Sequence, residues 1–501
     1  MSTLIQKATI LTIDGVHGTE PFEGDILIAG DAIAAIGTDL VAPPGSIVID
    51  GRRRLVMPGL INSHFHSGEA FLRGRYGSTR PLELWMLNAY PVFVGPIISL
   101  RLLYLRSMVA AMESLKNGVT TICDDFIDRP AHDLDRLGTV FAAYEDAGIR
   151  ANVSNNVVNK SVLDTLANAR DIVPAEIQAL VSRPSVEVPA YVDYCRSVFA
   201  SLHDRAGRLR FMIAPTAPQR CTDELLVACS DLARQNRVPF HTHVLETKTQ
   251  AVTGQQLYGQ TIVGHMCDLG ILHSGTTLAH SIWVTSRDIE MLAEAGSSIV
   301  HNCISNQKLG AGVAPLRQMI DAGVNVALGT DGLSCSDSAR MFDVIRAAAL
   351  LHSLAGPDYS QWLQADEILQ AATISGARSA LIDHQVGSLK VGKKADLLVL
   401  NMNSINFTPL NDIRNHLVFS EDGTSIEHVM VNGEIVVRNG KLVRVDEAAI
   451  LEEVRDSVPR YLAEQDKSEE KNRIFEKYFA EIHRRATAQD IGMNRYAGNA
   501  N

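Results

Sequence analysis

Two histidines, His64 and His66, end the apolar run Leu55-Val56-Met57-Pro58-Gly59-Leu60-Ile61 and its following pair Asn62-Ser63. Side chains at i and i+2 of a strand point to the same side, so both imidazoles can reach one metal ion from a single strand end. The texture recurs: His241 and His243 follow Val238-Pro239-Phe240, His280 closes Thr276-Thr277-Leu278-Ala279, and Asp331 follows the run from Val324 to Leu328 through Gly329 and Thr330. One His-X-His can be an incidental pair on a half-buried strand. Polar residues at several strand ends point instead to a metal enzyme, because barrel enzymes assemble their sites from the C-terminal ends of different strands.

Between these points, apolar runs alternate with longer amphipathic stretches, the pattern of a parallel sheet wrapped by helices. Eight candidate strands end near His66, Asp124, Asn156, Pro215, His243, His280, His301 and Asp331, the count of a TIM barrel. Short strand-like runs at 8–13, 25–28, 32–37 and 46–50 predict a small antiparallel sheet, and the same texture returns at 396–400, 428–433 and 434–437. The expected fold is α/β: a (β/α)8 TIM barrel over 57–385, with a small β-sandwich domain formed by both chain ends, 1–56 and 386–445. Residues 446–501 read as a C-terminal helical extension of surface helices, frayed from residue 491.

A net charge of −11 argues against a nucleic-acid partner, which usually announces itself by a basic patch. The triplet Arg52-Arg53-Arg54 leads into a strand rather than decorating a helix. No apolar run reaches the eighteen or so residues of a membrane span, and no secretory signal is evident. Seven cysteines, an odd number without Cys-X-X-Cys, fit reduced thiols. These features predict a cytoplasmic protein, off the membrane, whose partner is a small molecule. The His-X-Glu and Pro-Cys-X-X-Cys signature of base-editing zinc deaminases is absent.

His64, His66, His243 and Asp331 are the selected metal ligands, a nitrogen and hard-oxygen set that suits one divalent ion, Zn2+ first, and tolerates Fe2+, Mn2+ or Co2+. His243 is preferred over His241 because Glu246 follows it by three residues, placing a carboxylate beside the ion; His241 reads as a packed histidine behind the site. Asp331 doubles as acceptor of the proton released by an activated water. Glu246 is assigned protonation of the nitrogen under attack. His280 is assigned to orient the attacking water or polarise the developing oxyanion, with further metal ligation as the alternative. The segment Phe211 to Pro218 offers no lysine to bridge a second metal, and no Gly-X-Ser-X-Gly elbow accompanies the strands. Gly310-Ala311-Gly312 reads as a tight loop rather than a phosphate cradle.

Together, Pro58-Gly59-Leu60-Ile61-Asn62-Ser63-His64-Phe65-His66, His241-Thr242-His243-Val244-Leu245-Glu246-Thr247, Leu278-Ala279-His280, the stretch His301 to Gly310, Gly329-Thr330-Asp331-Gly332 and the closing Gly387 to Asp396 resemble the amidohydrolase superfamily. The likeness is to its cytosine-deaminase-like and triazine-hydrolase-like branch, and it spans nearly the whole chain. It implies an aminohydrolase, or deaminase, that replaces an amino or similar leaving group on a nitrogen heterocycle with oxygen, working as a homo-oligomer. Triazine dechlorination belongs to the same mechanism. Hydrolysis of a carbamate, urea or amide C–N bond is the rival, and a non-catalytic scaffold the remote alternative. Thr216 stands where adenosine-type deaminases carry a histidine, which counts against a nucleoside substrate. The stretch Leu84 to Pro91 resembles the pocket-bordering loop of the triazine hydrolases, making Trp85 a candidate to stack on a flat ring. Arg220 and Asn306 are candidates for polar substrate contacts.

Overall fold

The computed structural model describes residues 2–77, 80–90, 95–128, 131–181, 186–354 and 356–496. Strands Leu60–His66, Val119–Asp124, Arg150–Val153 and Leu209–Phe211 pair in parallel, in that order. Phe240–Val244, Thr276–His280, Ser298–His301 and Asn325–Leu328 form a second parallel row. Two links join the rows: Ile213 bridges Phe240, and the two-residue strand Asp331–Gly332, just past the last strand of the second row, pairs in parallel with Phe65 and His66. The result is an α/β fold with parallel sheets. The third and fourth strands stop at Val153 and Phe211, short of the expected Asn156 and Pro215, where only a bridge between Val157 and Pro215 remains.

The helices between strands begin where the sequence supplies caps. Thr285 accepts the Asp288 amide while the Asp288 side chain accepts the Thr285 amide, and Gly296 at φ 66 ends the same helix, Ser286–Ala295. Asp133 and Thr222 cap Leu134–Ala147 and Asp223–Asn236 with one bond each, accepting the Arg136 and Leu225 amides. Strand Leu60–His66 is buried at every position, as a parallel strand covered on both faces must be.

The run read as one strand into the histidine pair is two. Arg54–Pro58 pairs antiparallel with Leu397–Asn401 and parallel with Thr9 and Ile10, inside a sheet built from both chain ends. Gly59 makes the crossing: a Cβ there would lie 2.1 Å from the Thr120 hydroxyl oxygen, so only glycine passes. The chain-end sheet has its own apolar core of Ile5, Ile10, Ile26, Val56, Leu397 and Val399. The passage to the parallel strands therefore falls after Pro58.

Beyond Arg438 and a short hairpin strand, one 42-residue helix spans Glu447–Ala488, where several surface helices were expected. Its buried residues, Val458, Tyr461, Gln465, Ser468, Asn472, Phe475, Phe479, Ile482 and Ala486, alternate spacings of three and four, the repeat of a helix lying along a surface. The following tail is docked through residue 496 rather than frayed: the Val313 amide donates to the Arg495 carbonyl at 2.7 Å, and the Arg495 guanidinium donates to the Val284 carbonyl at 2.7 Å. Residues 497–501 lie outside the described residues. Among those described, no helix is long and apolar enough to cross a membrane.

Candidate metal centre

The strand ends converge on one buried cluster. His64 and His66 close the first parallel strand, His243 lies in Phe240–Val244, His280 closes Thr276–His280, and Asp331 opens the short strand beside Phe65. Non-glycine residues rarely adopt positive φ, yet His280, Ser281, Leu245 and Asp331 all do, at 71°, 49°, 51° and 67°. Such conformations are held against a cost and cluster at functional sites.

Each histidine of the selected set has its Nδ1 committed elsewhere. His66 Nδ1 lies 2.7 Å from the Asp125 carbonyl oxygen, His243 Nδ1 2.6 Å from the Thr216 carbonyl oxygen, and His64 Nδ1 2.7 Å from His241 Nε2. These partners leave the Nε2 atoms free to face one point, the usual way a protein orients metal-binding imidazoles. His66 Nε2 and His243 Nε2 are 3.2 Å apart, and Asp331 Oδ1 lies 3.4 Å from both His64 Nε2 and His66 Nε2. Ligands about 2.1 Å from a tetrahedral ion stand about 3.4 Å from one another. His64 Nε2 is buried with no hydrogen-bond partner, a cost of about 1–3 kcal/mol unless something fills its lone pair. Three imidazole nitrogens and one carboxylate oxygen therefore fit a first-row divalent ion.

His280 stands farther out. Its Nε2 is 3.7 Å from Glu246 Oε2 and 3.9 Å from Asp331 Oδ2, and its Nδ1 is held 2.9 Å from Asn306 Oδ1. His64, His280 and Asp331 also form a triad compact enough to hold an ion. His241 stands behind His64, as its Nε2 contact shows.

Burial dominates the electrostatics. It drives His64 down to about 4, aided by nearby His66 and His280 and only partly opposed by Asp331. Burial also lowers His66, but Asp331, Asp125 and Glu69 together overcome it and lift the imidazole to about 9. Glu246 is pushed well above the carboxylate range, first by burial and then by Asp331, Glu83 and Glu69, which favours its protonated form.

Several participants were not singled out in the sequence. Glu69 is buried, accepts the Tyr90 hydroxyl at one oxygen, and accepts the Ser334 amide at 3.0 Å and hydroxyl at 2.7 Å at the other. Asp125 receives Ser154 at 2.6 Å and Asn156 at 2.8 Å, and burial raises it to about 6. The adjacent acids Asp124 and Asp125, ending an apolar run, were the available signal for the latter; Glu69, three residues beyond His66, carried a weaker one. Of the substrate candidates, Asn306 is turned onto His280. Trp85 is 5% exposed, its ring edge-on to Tyr90 at 5.7 Å, and Arg220 sits in the one-turn helix Pro218–Arg220, outside the histidine cluster.

Comparison with known proteins agrees with this geometry. The chain is 31% identical over 459 residues to the 5-methylthioadenosine/S-adenosylhomocysteine deaminase of Caldanaerobacter subterraneus subsp. tengcongensis, covering 91% of this chain and 97% of that protein. It is 30% identical over 463 residues to the 5′-deoxyadenosine deaminase of Methanosarcina mazei, covering 92% and 98%. Among solved structures, atrazine chlorohydrolase from Arthrobacter aurescens TC1 complexed with zinc superposes with a TM-score of 0.81 at 27% identity, covering 91% and 99%. An adenosine deaminase from Xanthomonas campestris with bound zinc gives 0.79 at 25% identity, covering 92% and 98%. The amidohydrolase family profile matches residues 55–436, and the chain belongs to the amidohydrolase family.

Proposed function

We propose that this protein is a mononuclear aminohydrolase that replaces an amino or similar leaving group on a nitrogen heterocycle with oxygen. It is a metal-dependent hydrolase acting on a heterocyclic C–N bond, and the carrying observation is the convergence of three imidazole Nε2 atoms and the Asp331 carboxylate beside the buried Glu246. Deaminases among its relatives, by name, support the same bond. His64, His66, His243 and Asp331 would hold the ion. Zinc is our assignment, supported by the donor set and by the zinc in two similar structures.

When bound, the ion supplies Lewis acidity toward water and the carbon under attack. The chain's own groups do the rest. Glu246 delivers its proton to the ring nitrogen and takes one back for the leaving group. Asp331 accepts the proton of the attacking water. His280, whose Nδ1 donates to Asn306 Oδ1, presents the lone pair of Nε2, which accepts from the attacking water and orients it. Thr216 contributes its backbone carbonyl to His243 and lacks the histidine side chain of the adenosine-type pattern; what keeps purines in the substrate set is the likeness to deaminases named for adenosine derivatives. Likeness to the chlorohydrolase favours chloride as a second leaving group. Trp85 and Arg220 remain our candidates for substrate contacts.

We read the expected barrel, shifted to begin at Gly59 rather than 57 and running to 385, as a closed (β/α)8 barrel, supported by the pairing of Asp331 with Phe65, with 1–58 and 386–445 as a β-sandwich and 446–501 as an extension. Seven unpaired thiols support a cytoplasmic setting, the net charge of −11 a partner other than nucleic acid, and the family resemblance a homo-oligomer. The test is metal analysis joined to a screen of aminated, chlorinated and alkylamino purines, pyrimidines, pterins and triazines. About one metal per chain with ammonia release is expected. One metal per chain with no ring turned over would transfer the assignment to carbamates, ureas and amides.

A further inference from the structure

The helix Glu447–Ala488 lies wholly beyond the matched residues 55–436, and it is fastened to the loops around the metal centre. Along its buried face, the Gln465 amide donates to the Asn88 carbonyl at 2.7 Å and the Asn472 amide to the Leu87 carbonyl at 2.8 Å. Both carbonyls end the short helix that follows the first parallel strand, groups left without partners inside that helix. Farther on, His483 Nδ1 meets Glu83 Oε2 at 3.0 Å, and Lys248 donates to the Thr487 carbonyl at 2.8 Å. The tail then crosses the loop after Thr276–His280, where Tyr496 packs edge-on to Trp283 at 5.0 Å.

A pocket of about 470 Å3 opens beneath this strap, lined by Arg80, Gln307, Leu309, His483, Thr487 and Tyr496 among others. Two links tie it to the centre. Gln307 follows Asn306, which holds His280, and Glu83, the partner of His483, accepts the Thr247 hydroxyl at 3.0 Å, next to Glu246. The ionisable groups on its wall already have partners, Arg80 in Glu476 at 2.9 Å and His483 in Glu83 at 3.0 Å. An ionised ligand group would have to displace one of these pairs, whereas Gln307 and Tyr496 offer neutral donors and acceptors, and Thr487, whose hydroxyl donates to the His483 carbonyl at 2.8 Å, offers an acceptor.

We propose that the C-terminal extension forms a wall of the substrate pocket, and that Thr487 and Tyr496 select heterocycles carrying an uncharged, hydrogen-bonding side group. The inference rests on the aminohydrolase reading above, and binding of the remote group there would be used to orient the ring over the metal.

The experiment compares kcat/KM for adenine against 5′-deoxyadenosine, and for melamine against hydroxyethylmelamine, with adenosine monophosphate as the charged control. It is run on the metal-loaded wild type, Tyr496→Ala and Thr487→Val; the last is isosteric and keeps the helix intact. Wild type should prefer the substituted member of whichever pair it turns over, and the preference should fall more than threefold in at least one variant. A preference within threefold of wild type in both variants, no preference in wild type, or a preference for the monophosphate over 5′-deoxyadenosine overturns the inference while leaving the aminohydrolase reading standing. No turnover of any ring by wild type overturns that reading and this inference together.

Discussion

Glu69 presses its carboxylate against Gly332, the residue after Asp331, so closely that a Cβ on Gly332 would come within 2.0 Å of Glu69 Oε2. The same oxygen accepts both Ser334 donors, so one buried carboxylate fixes the turn that presents Asp331, a proposed metal ligand. Gly332→Ala should displace Glu69 and shift Asp331 with it. Metal affinity should fall tenfold or more, the scale on which supporting partners of metal ligands act. Competition with a chromophoric chelator measures it; unchanged affinity would remove Glu69 from this role.

Glu246→Gln and Asp331→Asn should separate proton delivery from metal holding. The first keeps all four selected ligands, so about one metal per chain should remain while kcat falls by a factor of about 100 or more. The second removes a charged ligand and the proton acceptor and should lose both metal and turnover. Metal content by elemental analysis, set beside single-turnover rates, checks the pair. Loss of metal from Glu246→Gln would mean that Glu246 is itself a ligand.

Metal uptake should release a proton. His66 in the metal-free protein is lifted to about 9 by Asp331, Asp125 and Glu69 against its burial, so at neutral pH it carries a proton that ligation must expel. Zinc affinity of the apoprotein should therefore rise about tenfold per pH unit from 7 toward 9 and flatten above it. Titration calorimetry in buffers of different ionisation enthalpy counts the proton directly. A count near zero at pH 7 would show that His66 is already neutral.

Acid stability should carry the mark of a second histidine pair. His301 Nε2 and His352 Nε2 lie 3.1 Å apart, both buried, and burial brings His352 down to about 4. The unfolded chain takes up this proton near 6.5 and the folded chain only near 4, so stability is present above 6.5 and is lost as pH falls toward 4. The slope for one such group is about 1.4 kcal/mol per pH unit. His352→Gln should narrow the drop in Tm between pH 7 and 4.5, read by scanning calorimetry; an unaltered drop would place the acid sensitivity elsewhere.

The parts of this molecule that a sequence exposes are those where chemistry restricts residue type. His64, His66 and Asp331 stood out because ligand atoms need particular side chains at strand ends, and the spacing of two is itself geometric. The alternation of apolar runs and amphipathic stretches likewise gave the parallel strands to within a few residues. What stayed hidden depends on backbone or on distance along the chain. The carbonyls of Asp125 and Thr216 orient two of the proposed ligands, His66 and His243, yet every residue has a carbonyl. Glu69 meets Ser334 across 265 positions, a separation no local pattern encodes. The division at Gly59 hides inside one apolar run because its cause is the Thr120 side chain on a neighbouring strand.

Arg54–Pro58 takes one neighbour from the beginning of the chain and the other, Leu397–Asn401, from near its end. On the ribosome, then, the first strands wait with a bare edge while all the intervening residues are made. A bare edge is a template for pairing with other chains. The late strand is a clasp: it closes strands made long before it, so a chain halted before residue 397 is left with that edge open.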